Sequence, residues 1–219
     1  MIALIRYTFA TMLHTQRYLA PLLLFTGLLG VLTVNGSGPL PPAYASSAGA
    51  LFVCSTWLTI VLMSLDAPSQ RAVLVVTAGG RSLTVLLATI GTALLSCLVL
   101  MVFGLFFPLW TGDHVVSTTD LLLGVEAQLT CALVGIAIGV LCSRLVFKRQ
   151  GHALVVALAL EMAALFTKGM PPVNRLFVLM ATTPDAAKLL APAGIMLAIS
   201  AVVLAVFIAA TQLVAGRRE

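Results

Sequence analysis

Long apolar runs separated by short polar segments make up most of this chain. A helix needs about 20 apolar residues to cross the hydrocarbon of a bilayer, and six runs approach or exceed that length. They cover residues 18–34, 44–65, 83–107, 121–142, 153–167 and 189–214. The pattern predicts an all-α membrane protein with six transmembrane helices in a single domain, residues 1–219. An even number of spans places both termini on the same side of the membrane.

The fifth run, 153–167, is the shortest of the six. It is followed by Pro171 and Pro172, which cannot continue a regular helix because proline lacks the backbone N–H and clashes with the preceding turn. We therefore expect residues 168–188 to form an extracytoplasmic loop or a re-entrant segment.

Residues 1–17 have the periodicity of an amphipathic helix. Apolar residues recur at steps of three and four positions, whereas basic residues lie on another face. The two sets are Ile2, Ile5, Phe9 and Met12, and Arg6, His14 and Arg17. This pattern predicts a helix that lies in the membrane interface. A signal peptide is the competing interpretation, but the apolar run begins late and is followed by more membrane-spanning sequence.

Composition agrees with the pattern. The chain is 61% hydrophobic and only 9% charged, with a mean hydropathy of +1.13, whereas soluble domains carry about 25% charged residues. The phosphate-binding motif G-x-x-x-x-G-K-[ST] does not occur in the sequence. If ATP drives this protein, the ATP and its Mg²⁺ are therefore expected on a separate partner subunit.

The basic residues indicate the orientation. With a cytoplasmic N-terminus, nine of the twelve Lys and Arg residues fall on the cytoplasmic side, in agreement with the positive-inside rule. These are Arg6, Arg17, Arg71, Arg81, Arg144, Lys148, Arg149, Arg217 and Arg218, and the three on the other side are Lys168, Arg175 and Lys188. The net charge of +5 is scattered over the ends of the spans and forms no stripe of the kind that binds nucleic acid.

Neither the cysteines nor the histidines have the spacing of a metal site. The four cysteines, Cys54, Cys97, Cys131 and Cys142, fall within apolar runs and are interpreted as packing residues. The histidines, His14, His114 and His152, lie on three different segments and are expected at the water interface.

Two carboxylates fall inside predicted spans, Glu126 in the fourth and Glu161 in the fifth. An acid in the membrane interior is costly and normally faces protein or a wet cavity. Glu161 lies nearer the middle of its span than Glu126, which can reach the outer interface. Each residue has two interpretations: a contact with substrate or protons, or a hydrogen-bonded carboxyl that packs against a neighbouring helix.

Gly135 and Gly139 form a G-x-x-x-G motif in the fourth span. Small residues at this spacing allow two helix backbones to approach closely. The motif favours packing within the chain over an interface between subunits.

The sequence lacks the catalytic motifs of the intramembrane proteases considered. A rhomboid-like protease needs a serine in a G-x-S-G setting and a histidine on a later span. Residues 35–38 read Asn-Gly-Ser-Gly without the first glycine, the last span has no histidine, and a G-x-G-D motif is absent. A small enzyme acting through Glu161 is retained as the least favoured alternative.

The cytoplasmic connection between the second and third spans, residues 66–81, has an unusual design. It begins with Asp66 and a proline, which favour a helix start, has a short amphipathic middle that includes Arg71, and ends in Gly79-Gly80-Arg81. This is the pattern of a short helix on the membrane surface, in a position to contact a partner. The plain alternative is a loop anchored by its arginines.

In this layout the chain resembles the permeases of the type-2 ABC exporter family. Those proteins have a surface-lying helix at the N-terminus, six spans, an acid-led cytoplasmic segment after the second span and a partly re-entrant hairpin before the last. The matching positions are residues 2–17, Asp66, Arg71, the turn 77–81 and the stretch 170–184. Residues 67–71 read Ala-Pro-Ser-Gln-Arg, without the second acid and Gly-Thr usual in the family. Length and layout are also similar to those of the haem-exporter B-type permeases.

The resemblance implies a dimer of identical or sister permeases in a bacterial inner or plasma membrane, each docked on a cytoplasmic ATP-binding cassette subunit. An amphipathic or lipid-like substrate would cross at the interface between the two permeases. The residues that would couple ATP hydrolysis to transport are Arg6, Arg17, Asp66, Arg71, Gly79, Gly80 and Arg81. Such a chain is a transport subunit without enzymatic activity of its own. The alternative from another class is a substrate-capturing subunit of a vitamin-uptake type transporter, also six-spanned and also without an ATPase.

Overall fold

The structure is a computed structural model that describes residues 2–33, 39–65, 68–77, 79–80, 82–111, 117–143, 150–167, 169–183 and 185–216. Within these ranges the chain forms nine α-helices and no strand. They are α1 (Ile2–Thr15), α2 (Leu19–Thr33), α3 (Leu40–Met63), α4 (Pro68–Thr77), α5 (Ser82–Thr111), α6 (Thr118–Leu141), α7 (Gln150–Phe166), α8 (Val173–Thr182) and α9 (Ala186–Gly216). The predicted all-α class is confirmed.

Four helices, α3, α5, α6 and α9, are long and apolar enough to cross a bilayer. A fifth candidate arises if α1 and α2, which meet at an angle of 78°, are taken together as one bent span. The remaining apolar helices, α7 and α8, are shorter than a full span. By length and composition, four or five helices could thus cross a bilayer, and the predicted number of six stays a prediction.

Two helix boundaries differ from the prediction because of prolines. The second predicted span begins at residue 44, whereas α3 begins at Leu40 and takes Pro41 and Pro42 into its first turn. Proline is tolerated there because the first N–H groups of a helix have no partner within it. The third predicted span ends at residue 107, whereas α5 continues through Pro108 to Thr111.

Helices α3 and α6 form the centre of the molecule, and α3 also packs on α2, α5, α7 and α8. Side chains of α3 contribute to both clusters of the hydrophobic core: Tyr44 and Phe52 to one, Leu51 and Leu58 to the other. Most residues of α3 are buried against neighbouring helices. It is one of the two helices around which the others pack.

The apolar face of α1 packs against α5. A Cβ on Gly91 of α5 would lie 3.2 Å from the Cδ1 atom of Ile5, and Met12, 4% exposed, places its Sδ atom 3.9 Å from Ser96 Oγ. The chain then turns into α2 at Gln16, whose φ of 55° lies in the left-handed region. The face on which we expected lipid contact is therefore in part a protein contact.

A tight connection joins α7 to α8. The Asn174 side chain accepts a hydrogen bond from the Gly169 N–H (3.0 Å) and donates one to the carbonyl of Leu165. Gly169 has a φ of +74°, a conformation that L side chains rarely adopt. The end of α7 and the start of α8 are thereby held together, within the predicted loop or re-entrant segment 168–188.

Candidate functional site

Glu161 lies deep in the helix packing. It is only 3% exposed, and its carboxyl group shares a hydrogen bond with the hydroxyl of Thr56 on α3. Thr56 lies about 10 Å of helical rise from the end of α3 at Met63. The acid that the sequence placed inside a span is thus held against the central helix, well away from the helix end.

Next to this pair is a cavity of about 170 Å³ between α2, α3 and α7. Its lining is apolar except for the Glu161 carboxyl, the Thr56 hydroxyl and the indole of Trp57. The lining residues are Leu24 from α2, Val53, Thr56, Trp57 and Ile60 from α3, and Leu154, Ala157, Leu158 and Glu161 from α7. A carboxyl group in such surroundings can bind a cation or a hydrogen-bond donor more strongly than one in water.

A wider groove of about 630 Å³ borders Trp57 as well. It runs between α2 and α3 toward the corner that joins α1 to α2. Its lining consists of Gln16, Arg17, Leu19, Ala20, Leu23, Trp57, Val61 and Ser64. Trp57 is therefore shared by a small cavity that contains a carboxyl group and a larger groove that ends among polar residues.

Glu161 forms no ion pair within the described ranges, where the ion pair observed joins Lys188 to Asp185 at 3.4 Å. The partner available to the carboxyl group is the Thr56 hydroxyl, which also lies 3.2 Å from the Phe52 carbonyl. A hydroxyl carries one proton and can donate it to one acceptor at a time. The Glu161 carboxyl group and the Phe52 carbonyl therefore compete for one hydroxyl, and the carboxyl group borders the cavity.

The other intramembrane acid, Glu126, has a different environment. It is half-buried, its Oε1 atom faces α9 at Gly194, where a Cβ would lie 3.8 Å away, and its Oε2 atom is buried without a described partner. The two acids face different helices, α9 for Glu126 and α3 for Glu161. The structure does not bring them into one site.

A second polar cluster, which the sequence reasoning missed, surrounds Gln128 of α6. Gln128 is fully buried and donates a hydrogen bond from Nε2 to Ser47 Oγ at 3.2 Å. Its amide fills the space over Gly104 of α5, where a Cβ would lie 2.7 Å from it. The Gln128 Oε1 and Tyr44 hydroxyl atoms have no partner among the described residues. A glutamine within an apolar run was the signal that could have revealed this cluster.

Gly135 and Gly139 face α3. A Cβ on Gly135 would lie 2.7 Å from the Phe52 carbonyl oxygen and against Ser55 Oγ, and one on Gly139 would lie 2.8 Å from the Thr56 carbonyl oxygen. The two backbones therefore come together along this stretch. This close packing also fixes the position of Thr56, the residue that contacts Glu161.

The cytoplasmic segment contains α4, which ends before Gly79 and Gly80. These glycines have φ angles of +81° and +75°, so they terminate the helix in a left-handed turn. On α4, Val73 is 63% and Val76 75% exposed, and Arg71 is half-buried. Asp66 and Arg81, the predicted charged ends of the segment, lie outside the described residues. The described part is a short helix with an uncovered apolar face.

The remaining predicted residues lie at the surface or in the core. Arg6 and Arg17 are exposed, as are His14 and His152, while His114 lies outside the described residues. All four cysteines are buried and free. The described residues hold no group of three or more His, Cys, Asp or Glu side chains that could bind a metal.

Comparisons with protein-family models, with curated proteins and with solved structures find no match to this chain. Three structural features bear on its function: Glu161 with its cavity, the helix α4, and the layout of the helices.

Proposed function

We propose that this chain is the permease subunit of an ATP-driven exporter of the type-2 ABC class, with six spans and both termini in the cytoplasm. In this arrangement α2 and α7 are the first and fifth spans, and α8 belongs to the extracytoplasmic hairpin. The membrane is a bacterial inner or plasma membrane, and the ATPase is a separate subunit. The substrate is amphipathic or lipid-like.

The observation that carries the proposal is α4. A short helix with exposed Val73 and Val76, followed by a glycine turn, needs a partner or the membrane surface to cover its apolar face. It follows α3 directly, and α3 supplies Thr56 and Trp57 to the cavity. A protein docked on α4 would thus act on the helix that forms one wall of the cavity.

The position of α1 supports the same function. It packs on α5 through Ile5 and Met12 and turns into α2 through a 78° bend. In the proposed complex Arg6 and Arg17 lie on the cytoplasmic side, near the ATPase. Two permease chains, identical or sister, complete the path for the substrate.

Co-purification tests this function. The chain is co-expressed with a candidate ATP-binding cassette subunit from the same genome, and we expect the two to elute together and to hydrolyse ATP. Charge reversal at Asp66, Arg71 and Arg81 is expected to reduce assembly and stimulated ATPase activity. The matched control is charge reversal at Arg175, on the side that we place outside the cytoplasm. Unchanged assembly and activity in the triple variant would disprove the coupling role of the segment.

The cavity at Glu161 favours one second candidate, a substrate-capturing subunit of an uptake transporter. Such a subunit binds one small ligand tightly when purified alone, and ligand binding to the folded state raises the melting temperature. A tight ligand found in the isolated chain, together with ATP-dependent uptake of that ligand, favours this candidate. Export of a preloaded substrate from vesicles favours the permease.

A further inference from the structure

We infer that the cavity between α2, α3 and α7 binds the ammonium group of an amphipathic amine, with the apolar part of the molecule in the groove beyond Trp57. This inference names the substrate class of the proposed permease, and it rests on the proposed function only in treating the amine as transported cargo. Binding itself is a property of the isolated chain.

Glu161 is 3% exposed and has no cationic partner among the described residues. A buried carboxylate without a cationic partner is costly, and a cation brought into contact with it offsets that cost. A ligand that carries its own positive charge is therefore the species that gains most from entering this cavity.

The other polar groups that line the cavity also suit an amine. The indole of Trp57 borders the same cavity as Glu161 and Thr56. Ammonium groups are attracted to the face of an indole, and the attraction is stronger where water is excluded. A carboxylate, a hydroxyl and an indole together suit an amine, whereas the charge of Glu161 repels an anionic group.

The volumes of the cavity and the groove suit the two ends of an amphipathic molecule. The cavity of about 170 Å³ is smaller than the roughly 300–1,000 Å³ typical of pockets for drug-sized ligands. It therefore accommodates only one end of such a molecule. The neighbouring groove of about 630 Å³ offers Leu19, Leu23 and Val61 to an apolar tail.

Arg17 also borders the groove, and its positive charge opposes a cation. Arg17 is exposed, so water and salt screen its charge. Glu161 lies in an apolar cavity, where screening is weak. The carboxyl group therefore determines which charge the cavity accepts.

Fluorescence of Trp57 provides a direct assay. The chain contains two tryptophans, and the second, Trp110, is 86% exposed at the end of α5. In a Trp110→Phe chain purified in a non-ionic maltoside detergent, the emission comes from Trp57 alone. We titrate this chain with octylamine, 1-octanol and octanoate, three probes with the same tail length. We expect a saturable change with octylamine and much weaker responses with the other two.

Variants of the lining locate the effect. Glu161→Gln is expected to weaken octylamine binding about 30-fold, as for loss of one partner of a buried charge pair, and to leave the octanol response unchanged. Glu126→Gln is the matched control and should bind octylamine normally. If Glu161→Gln fails to fold, Glu161→Asp keeps the charge and is expected to retain the preference for the amine.

Two results would overturn the inference: equal responses to octylamine and octanol in the parent chain, or full octylamine binding by Glu161→Gln. Both are obtained without an ATPase, so they do not depend on the proposed function. Amine binding by a chain that never associates with an ATP-binding subunit leaves the cavity assignment in place and removes the transport role. If the chain associates with an ATP-binding subunit but does not bind the amine, the transport role remains and the cavity assignment is overturned.

Discussion

Gly139 of α6 lies so close to Thr59 of α3 that a Cβ on the glycine would be 2.6 Å from the Thr59 Cβ. One turn earlier, Gly135 meets Ser55 and the Phe52 carbonyl in the same way. Backbone atoms form part of the contact surface at both positions, so a side chain larger than glycine at either one would push the helices apart. The centre of the bundle therefore tolerates little change in side-chain volume.

Gly139→Ala is expected to destabilise the folded chain by about 1–3 kcal/mol, because the new methyl group meets the Thr56 carbonyl, which is part of a helix and cannot rotate away. Gly30→Ala on α2 is the control, since nothing lies within 4 Å of its Cβ position. There alanine should be neutral or stabilising by about 0.5–1 kcal/mol through helix propensity. Thermal unfolding in detergent, followed by loss of monodisperse protein, measures both. Similar melting temperatures for the two variants would contradict the packing argument.

Ser47→Ala is expected to cost about 1–3 kcal/mol, because it leaves the buried Gln128 amide without its hydrogen-bond partner. Adding Gln128→Met removes the unsatisfied amide and should recover part of that loss. The measurement is a double-mutant cycle on the melting temperature. Additive losses from the two substitutions would show that the hydrogen bond carries no energetic coupling.

Asn174→Ala should loosen the connection between α7 and α8 while the rest of the bundle stays intact. The substitution removes the hydrogen bonds to the Gly169 N–H and the Leu165 carbonyl, each worth about 1 kcal/mol. Hydrogen exchange should then become faster near residues 165–173. Arg175→Ala, at an exposed neighbouring position, is the control, and the same exchange rates in both variants would argue against the role of Asn174.

Topology can be tested without removing any native cysteine. All four cysteines are at most 2% exposed, so we expect a maleimide to label the folded chain poorly and the denatured chain fully. Cysteines introduced at the exposed positions of His14, His152 and Arg175 then report sidedness with an impermeant maleimide. The six-span layout predicts labelling of the first two from the cytoplasm and of the third from the other side. Labelling of all three from one side would refute it.

Val73→Glu with Val76→Glu is expected to abolish association with an ATP-binding subunit and to leave the purified chain monodisperse, because both side chains are exposed on α4. Val73→Ile with Val76→Ile keeps the face apolar and should retain association. A pull-down with a tagged ATPase compares the two pairs. Association by the glutamate pair would exclude the apolar face of α4 as the docking surface.

The sequence predicted an all-helical chain with apolar helices of membrane-spanning length, because the cost of exposing polar backbone to lipid leaves few alternatives to a helix. Two predicted helix ends were misplaced because the effect of proline on a helix depends on its position within the helix. Pro41 and Pro42 lie before the predicted start of the second span at residue 44, yet they fit the first turn of α3. Pro108 lies inside α5 near its end, where few hydrogen bonds remain to be broken.

The candidate site was predicted only in part. Glu161 could be found because an acid in an apolar run is rare and has few interpretations. Thr56 and Trp57 could not, because their importance depends on which helix packs beside α7, and sequence periodicity does not contain that information. Gln128 was detectable by the same rule as Glu161 but was overlooked, since an uncharged amide stands out less among apolar residues.

The turn at Gln16 joins two helices with different contacts. Helix α1 packs on α5 through Ile5, whereas α2 carries Leu24 at the wall of the Glu161 cavity. A movement of α1 that preserved the 78° angle between the two helices would change the tilt of α2. Leu24 would move with it, so the position of a helix outside the cavity would then set the cavity's width.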